Sequence, residues 1–232
     1  MRLKAILSFL SFLTIHSASA QTAPLPSAEF ATQSKQPGVQ LLDVRTVEEY
    51  RAGHIAQSVQ ADWKNAGQFK QYVQYLDKTK PVYVYCAGGV RSKAAATWLR
   101  DNGYANVYEL AGGLSQWKED KKPVEGMPDT PPISLTEYNR QVADASPALV
   151  SFSASWCLPC IKMEPVLKQL QTDLPNSFKL VKIDAGTQAE LMKEVNVTEI
   201  PTYIYYKNGK EVWRKTGVIE LAVLRQQLNS GK

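Results

Sequence analysis

Short apolar runs alternate with segments of helical periodicity along most of this chain. Residues 39–44, with Val39, Leu41, Leu42 and Val44 set around single polar positions, read as a strand, and 47–51 as a short helix. Residues 69–76 have a helical pattern. Pro81-Val82-Tyr83-Val84-Tyr85 is rich in strand formers, 92–99 is helical in composition, and 106–110 is another short strand. Strand–helix alternation of this kind predicts an α/β domain with a largely parallel sheet.

The pattern stops at residues 121–132, KKPVEGMPDTPP, where four of twelve residues are proline. Such a stretch can neither continue a helix nor pair as a central strand. It reads as an extended linker, with a reach of ~40 Å at ~3.3 Å per residue. Beyond it, 148–153 reads as a strand, 161–170 as an amphipathic helix, 178–183 as a strand and 188–195 as a helix. Residues 202–206 and 212–215 flank Asn208-Gly209, a strong hairpin signal, and 221–228 closes as a helix. The second half is therefore a small mixed sheet covered by helices. The predicted fold class is α/β in two domains, each of ordinary small-domain size.

The first twenty residues form a separate unit. Arg2 and Lys4 precede the apolar run 5–15, and Ala18-Ser19-Ala20 supplies small residues for cleavage. That is the layout of a secretory signal peptide over 1–20, too short in its apolar part to span a bilayer comfortably. The expectation is export to the periplasm. Loss of Arg2 and Lys4 lowers the formal charge from +5 to about +3. A surplus this small and scattered gives no reason to expect nucleic acid.

Three cysteines, an odd number, do not form a disulfide framework of the secreted type. One stands alone and two are three apart, which points to cysteines kept for chemistry. Cys86 ends a strand and precedes a helix beginning near Arg91, through Ala87, Gly88, Gly89 and Val90. A glycine-rich turn before a helix aims backbone amides into one concavity, where a thiolate or an incoming anion is favoured. Arg91 adds a permanent charge. The plainer alternative is a buried structural cysteine at a strand end.

Asp43-Val44-Arg45, Glu48-Glu49-Tyr50, Gly53-His54-Ile55, the loop 86–92 and Gly112-Gly113 with Trp117 occur in an order that resembles single-domain rhodaneses over residues 26–122. The resemblance implies a sulfurtransferase. Cys86 takes a sulfane sulfur from a donor such as thiosulfate and becomes a persulfide. Arg91 and the amides of Ala87, Gly88, Gly89 and Val90 hold the donor's oxyanion. Asp43 and Arg45 are expected to form a structural ion pair, and His54 to be a hydrogen-bonded turn residue.

Trp156-Cys157-Leu158-Pro159-Cys160 lies between a strand and a helix. A helix N-terminus favours Cys157 as the attacking thiolate, with Cys160 resolving. A zinc half-site is disfavoured, because the chain after residue 20 holds one further cysteine and one histidine, both in the other domain. Residues 133–232 resemble thioredoxins, through Trp156 to Cys160 and through Ile200-Pro201-Thr202. The resemblance implies a cis-proline loop against the cysteine pair, with the Ile200 backbone offered to a substrate strand. One departure stands out: where thioredoxins carry a buried aspartate, this chain has Ser151, and Cys160 then needs water or another group to take its proton.

Together these readings predict residues 123–132 as a linker and no metal or organic cofactor. The partners expected are a sulfane-sulfur donor, protein disulfides or persulfides, and an inner-membrane thiol carrier as reductant. The leading function is a sulfurtransferase coupled to a dithiol that reduces its persulfide or other protein disulfides. The alternative is a disulfide reductase whose first domain only docks partners.

Overall fold

A computed structural model describes residues 23–145 and 147–229. The signal peptide expected over 1–20 lies outside the described residues. No helix among the described residues is long and apolar enough to cross a membrane.

The first unit contains α1 (Ser27–Gln33), β1 (Gln40–Asp43), α2 (Val47–Arg51), β2 (Val59–Gln60), α3 (Ala66–Val73), β3 (Val82–Tyr85), α4 (Val90–Asp101), β4 (Val107–Glu109) and α5 (Gly113–Glu119). Its four strands are all parallel in the order β2-β1-β3-β4. β3 is buried at every position, as expected for a central strand of a parallel sheet with both faces covered. Leu42, Val44, Val82 and Val84 pack on one side with Phe69, Val73, Ala95 and Leu99. Leu41, Tyr83 and Tyr85 pack on the other with Phe30, Leu114 and Trp117.

The second unit contains α6 (Leu135–Asp144), β5 (Ala148–Ser153), α7 (Leu158–Asp173), β6 (Lys179–Asp184), α8 (Ala189–Glu194), β7 (Thr202–Lys207), β8 (Lys210–Thr216) and α9 (Leu221–Asn229). The sheet order is β6-β5-β7-β8, with β6 parallel to β5 and the β7–β8 hairpin antiparallel. Asn208 and Gly209 turn that hairpin with φ of 50° and 71°, the doubly positive geometry of a tight two-residue turn.

The proline-rich segment is not a free spacer. Glu125 exchanges backbone hydrogen bonds with His54 at 2.8 Å each way. Trp117 donates to the Pro123 carbonyl, and Met127 packs into the core of the first unit. Proline keeps the segment extended, and an extended backbone is free to pair with whatever edge it passes.

The two units meet along a defined seam. The Gln60 amide donates to the Trp156 carbonyl at 3.0 Å. The Tyr72 hydroxyl donates to the Ile200 carbonyl at 2.8 Å, and the Arg51 guanidinium to the Ala185 carbonyl at 2.6 Å. The rings of Tyr50 and Trp156 lie 5.5 Å apart, and Trp156, Cys157, Leu158 and Cys160 belong to the same buried cluster as the core of the first unit.

Candidate active sites

Cys86 follows β3 directly and is almost completely buried. Gly89 caps α4 with φ of 95°, a conformation that favours glycine, and its amide donates to the Cys86 sulfur at 3.2 Å. The Ser92 hydroxyl stands 3.4 Å from that sulfur and 3.0 Å from the Gly89 carbonyl, so its single proton serves one of them at a time. The carbonyls of the loop are occupied from behind: Leu114 donates to Cys86 and Ser115 to Ala87, at 2.8 and 2.9 Å. This anchoring onto the start of α5 leaves the amide side of the loop to the sulfur. Gly113 makes it possible, since a Cβ there lies 2.6 Å from the Cys86 oxygen and 2.7 Å from the Ala87 oxygen.

Of the amides expected to form a cradle, only that of Gly89 reaches the sulfur by hydrogen bond. Val90 is largely exposed and Gly88 is open. Arg91 differs from the expectation more sharply. Both of its terminal nitrogens are held by Glu49 at 2.7 Å, in a bidentate pair. The hydrogen bonds from Arg91 hold the Glu49 carboxyl down at about 2. Glu49 also closes a capping box with Thr46 at the start of α2, which fixes the direction of its side chain. Glu49 was missed as a site residue; the Thr46-x-x-Glu49 spacing was the signal for its placement.

Asp43 and Arg45 form a buried bidentate pair, with Arg45 also donating to the Gly53 carbonyl at 2.7 Å. His54 stacks on Tyr50 with ring centroids 3.8 Å apart, and its Nδ1 lies 3.0 Å from the Tyr50 carbonyl. Burial holds its pKa below the usual value.

In the second unit Cys157 caps α7, Pro159 lies in its first turn, and the Cys160 amide donates to the Cys157 sulfur. Cys157 and Cys160 are joined as a disulfide, and the Ile200–Pro201 peptide is cis. Cys157 has no exposed surface, and Trp156 is covered by the first unit. Tyr72 already occupies the Ile200 carbonyl, the backbone group expected to meet a substrate strand. Beside this seam opens a cleft of about 530 Å³ bordered by Arg51, Gln60, Tyr72, Trp156 and Ile200.

Sheet register relates the two sites. Gln60, Asp43 and Tyr85 are paired across one row at the C-terminal ends of β2, β1 and β3. Gln60 therefore lies two strand spacings from Tyr85, about 10 Å at ~4.8 Å per spacing. Trp156 hangs from Gln60 and Cys86 follows Tyr85, so both cysteine loops sit on the same edge of the parallel sheet. This is the edge at which α/β sheets present their loops for ligands.

Residues 27–120 match the family model of the Rhodanese-like domain and residues 129–230 that of Thioredoxin. A thioredoxin-like protein of Synechocystis is 38% identical over 82 residues, covering 35% of this chain and 78% of that protein. A tRNA uridine(34) hydroxylase of Pelagibacter ubique is 37% identical over 87 residues, covering 38% of this chain and 29% of that protein. A rhodanese-related protein of Thermoplasma volcanium, of solved structure, is 29% identical over 45% of this chain and 98% of that one, with a TM-score of 0.40. The chain belongs to the thioredoxin family through its second domain, and carries a rhodanese-like domain before it. The pair of domains defines a sulfur-transfer or thiol-redox enzyme. The chain spans under a third of the hydroxylase's length, so no activity passes from that relative.

Proposed function

We propose that this protein is an exported, periplasmic sulfurtransferase whose persulfide is reduced by its own thioredoxin-like domain. The Cys86 thiolate attacks the sulfane sulfur of a thiosulfate-like donor, breaking its S–S bond; sulfite leaves with the electron pair and Cys86 becomes a persulfide. The Cys157 thiolate attacks the outer sulfur, and Cys86 departs as a thiolate. Cys160 then attacks Cys157, a disulfide closes, and hydrosulfide leaves. An external dithiol carrier resets the disulfide. No nucleotide or metal enters the sequence.

The observation that carries this reading is the Gln60–Trp156 hydrogen bond, which sets the cysteine pair at the end of the sheet where the Cys86 loop begins. Tethering two reacting groups raises their effective concentration to ~mM, far above that of a separate partner. Burial of Cys157 under the first domain favours a target inside the chain over a free protein disulfide. A second reading, disulfide reduction with the first domain as a docking module, is favoured by one observation: Arg91 is engaged with Glu49 and not free for a donor. Turnover separates them. The chain from residue 21 onward should convert thiosulfate and cyanide to thiocyanate, and Cys86→Ser should not. Equal rates in the two proteins would remove Cys86 from its role.

A further inference from the structure

A cavity of about 280 Å³ lies beside Cys160, lined by residues of the second unit. Cys160, Ser151 and Tyr203 line its inner end, and Glu164, Lys182 and Asp184 stand exposed at its mouth. Ser151 and Tyr203 face each other in register across β5 and β7. Both residues are at least 99% buried, yet neither hydroxyl completes a hydrogen bond with the protein. Burial raises the Tyr203 pKa and the Ser151 hydroxyl, near enough for a weak side-chain hydrogen bond, opposes this; the phenol stays protonated. Two buried hydroxyls without a full hydrogen bond in one cavity are costly unless something meets them. Water does so readily: the space holds several molecules at ~30 Å³ each, with Ser151, Ser153, Ser155 and Tyr203 among its lining.

We propose that Ser151 and Tyr203 hold water against Cys160 and lead its thiol proton out to solvent when that cysteine resolves a bond on Cys157. They are positioning residues, acting through the water. The inference rests on the reading of Cys157 and Cys160 as a working dithiol. In the step, the Cys160 proton passes to cavity water and its electron pair forms the bond to Cys157. The bond from Cys157 to its transferred sulfur breaks, and that sulfur leaves with the electron pair and takes a proton from solvent. Cys157 and Cys160 are oxidised to the disulfide, and the bound sulfur is reduced. A neutral relay of this kind fills the place of a carboxylate base without placing a charge in the sheet.

The test isolates Cys160 in a chain carrying Cys86→Ser and Cys157→Ser, and follows its thiol by NMR titration. Adding Tyr203→Phe or Ser151→Ala should raise the titration midpoint by about 1 pH unit, as loss of hydrogen bonding to a thiolate does. Tyr203→Phe removes an orphaned hydroxyl, so its thermal unfolding should match or exceed that of the parent. If Tyr203→Phe does not fold, Ser151→Ala carries the test. An unchanged midpoint in a folded variant overturns the relay. Failure of the underlying dithiol reading shows separately, as an inability of the reduced Cys86→Ser chain, whose only thiols are Cys157 and Cys160, to reduce dithionitrobenzoate.

Discussion

The Tyr72 hydroxyl of the rhodanese-like domain donates to the Ile200 carbonyl of the thioredoxin-like domain, the residue that precedes the cis-proline beside the disulfide. Together with Gln60 on the Trp156 carbonyl, it places a built-in occupant over the cysteine pair. Burial, with Glu199 adding to it, pushes the Tyr72 phenol up to about 12, so it remains a donor throughout the neutral range.

Removing that contact should expose the cysteine pair. Tyr72→Phe keeps the ring and deletes the donor, at a cost of about 1 kcal/mol in stability. The Cys157–Cys160 disulfide should then be reduced several-fold faster by dithiothreitol, measured by alkylation and mass. An unchanged rate would mean that the seam does not limit access.

Arg91 should be a donor-binding residue restrained by Glu49. Glu49→Gln weakens the restraint, and the thiosulfate KM should fall, while Arg91→Ala should raise it about tenfold or more through loss of ~1.5–3 kcal/mol of charge-assisted contact. The ordinary Glu49 value of 4.5 is lowered to about 2 in the fold, so its contribution to stability is fully present above pH 4.5 and is lost as pH falls through about 2. Chemical denaturation between those limits should therefore show a steeper loss of stability in the unaltered chain than in Glu49→Gln. Parallel slopes would mean that the pair does not persist in solution.

Gly113 should be as important to the Cys86 loop as the loop's own glycines. Its φ is 61°, and a Cβ there lies within 2.8 Å of three backbone atoms of Cys86 and Ala87. Gly113→Ala should cost more than ~1 kcal/mol, as alanine does where φ is positive, and should lower thiosulfate turnover further than it lowers stability. Turnover retained in full would contradict the anchoring of the loop from behind.

The strands were legible because each is a short apolar run closed by a turn, and the hairpin because Asn208-Gly209 admits little else. β2 was not, since two residues carry no periodicity. Helix α6 was overlooked although Ser134 caps it and Tyr138 and Val142 share its buried face. The cysteines announced themselves by spacing and by the glycines around them. Glu49, Tyr72 and Gln60 did not, because their roles come from pairing across distant segments, and a local pattern contains no trace of a partner 42 or 128 positions away. The orphaned state of Ser151 and Tyr203 is likewise a property of register between β5 and β7.

Transfer of sulfur from Cys86 to Cys157 within one chain is the central claim, and dilution tests it most directly. The reduced, unaltered chain is loaded with sulfane sulfur at Cys86 and sulfide release is followed at falling protein concentration. The comparison is a mixture of two full-length chains, loaded Cys157→Ser and reduced Cys86→Ser, which can react only between molecules. The unaltered chain should release sulfide with a first-order rate constant that does not change on dilution, while release from the mixture slows in proportion. Equal rates at every concentration, or a rate in the unaltered chain that falls with dilution, would contradict transfer within the chain.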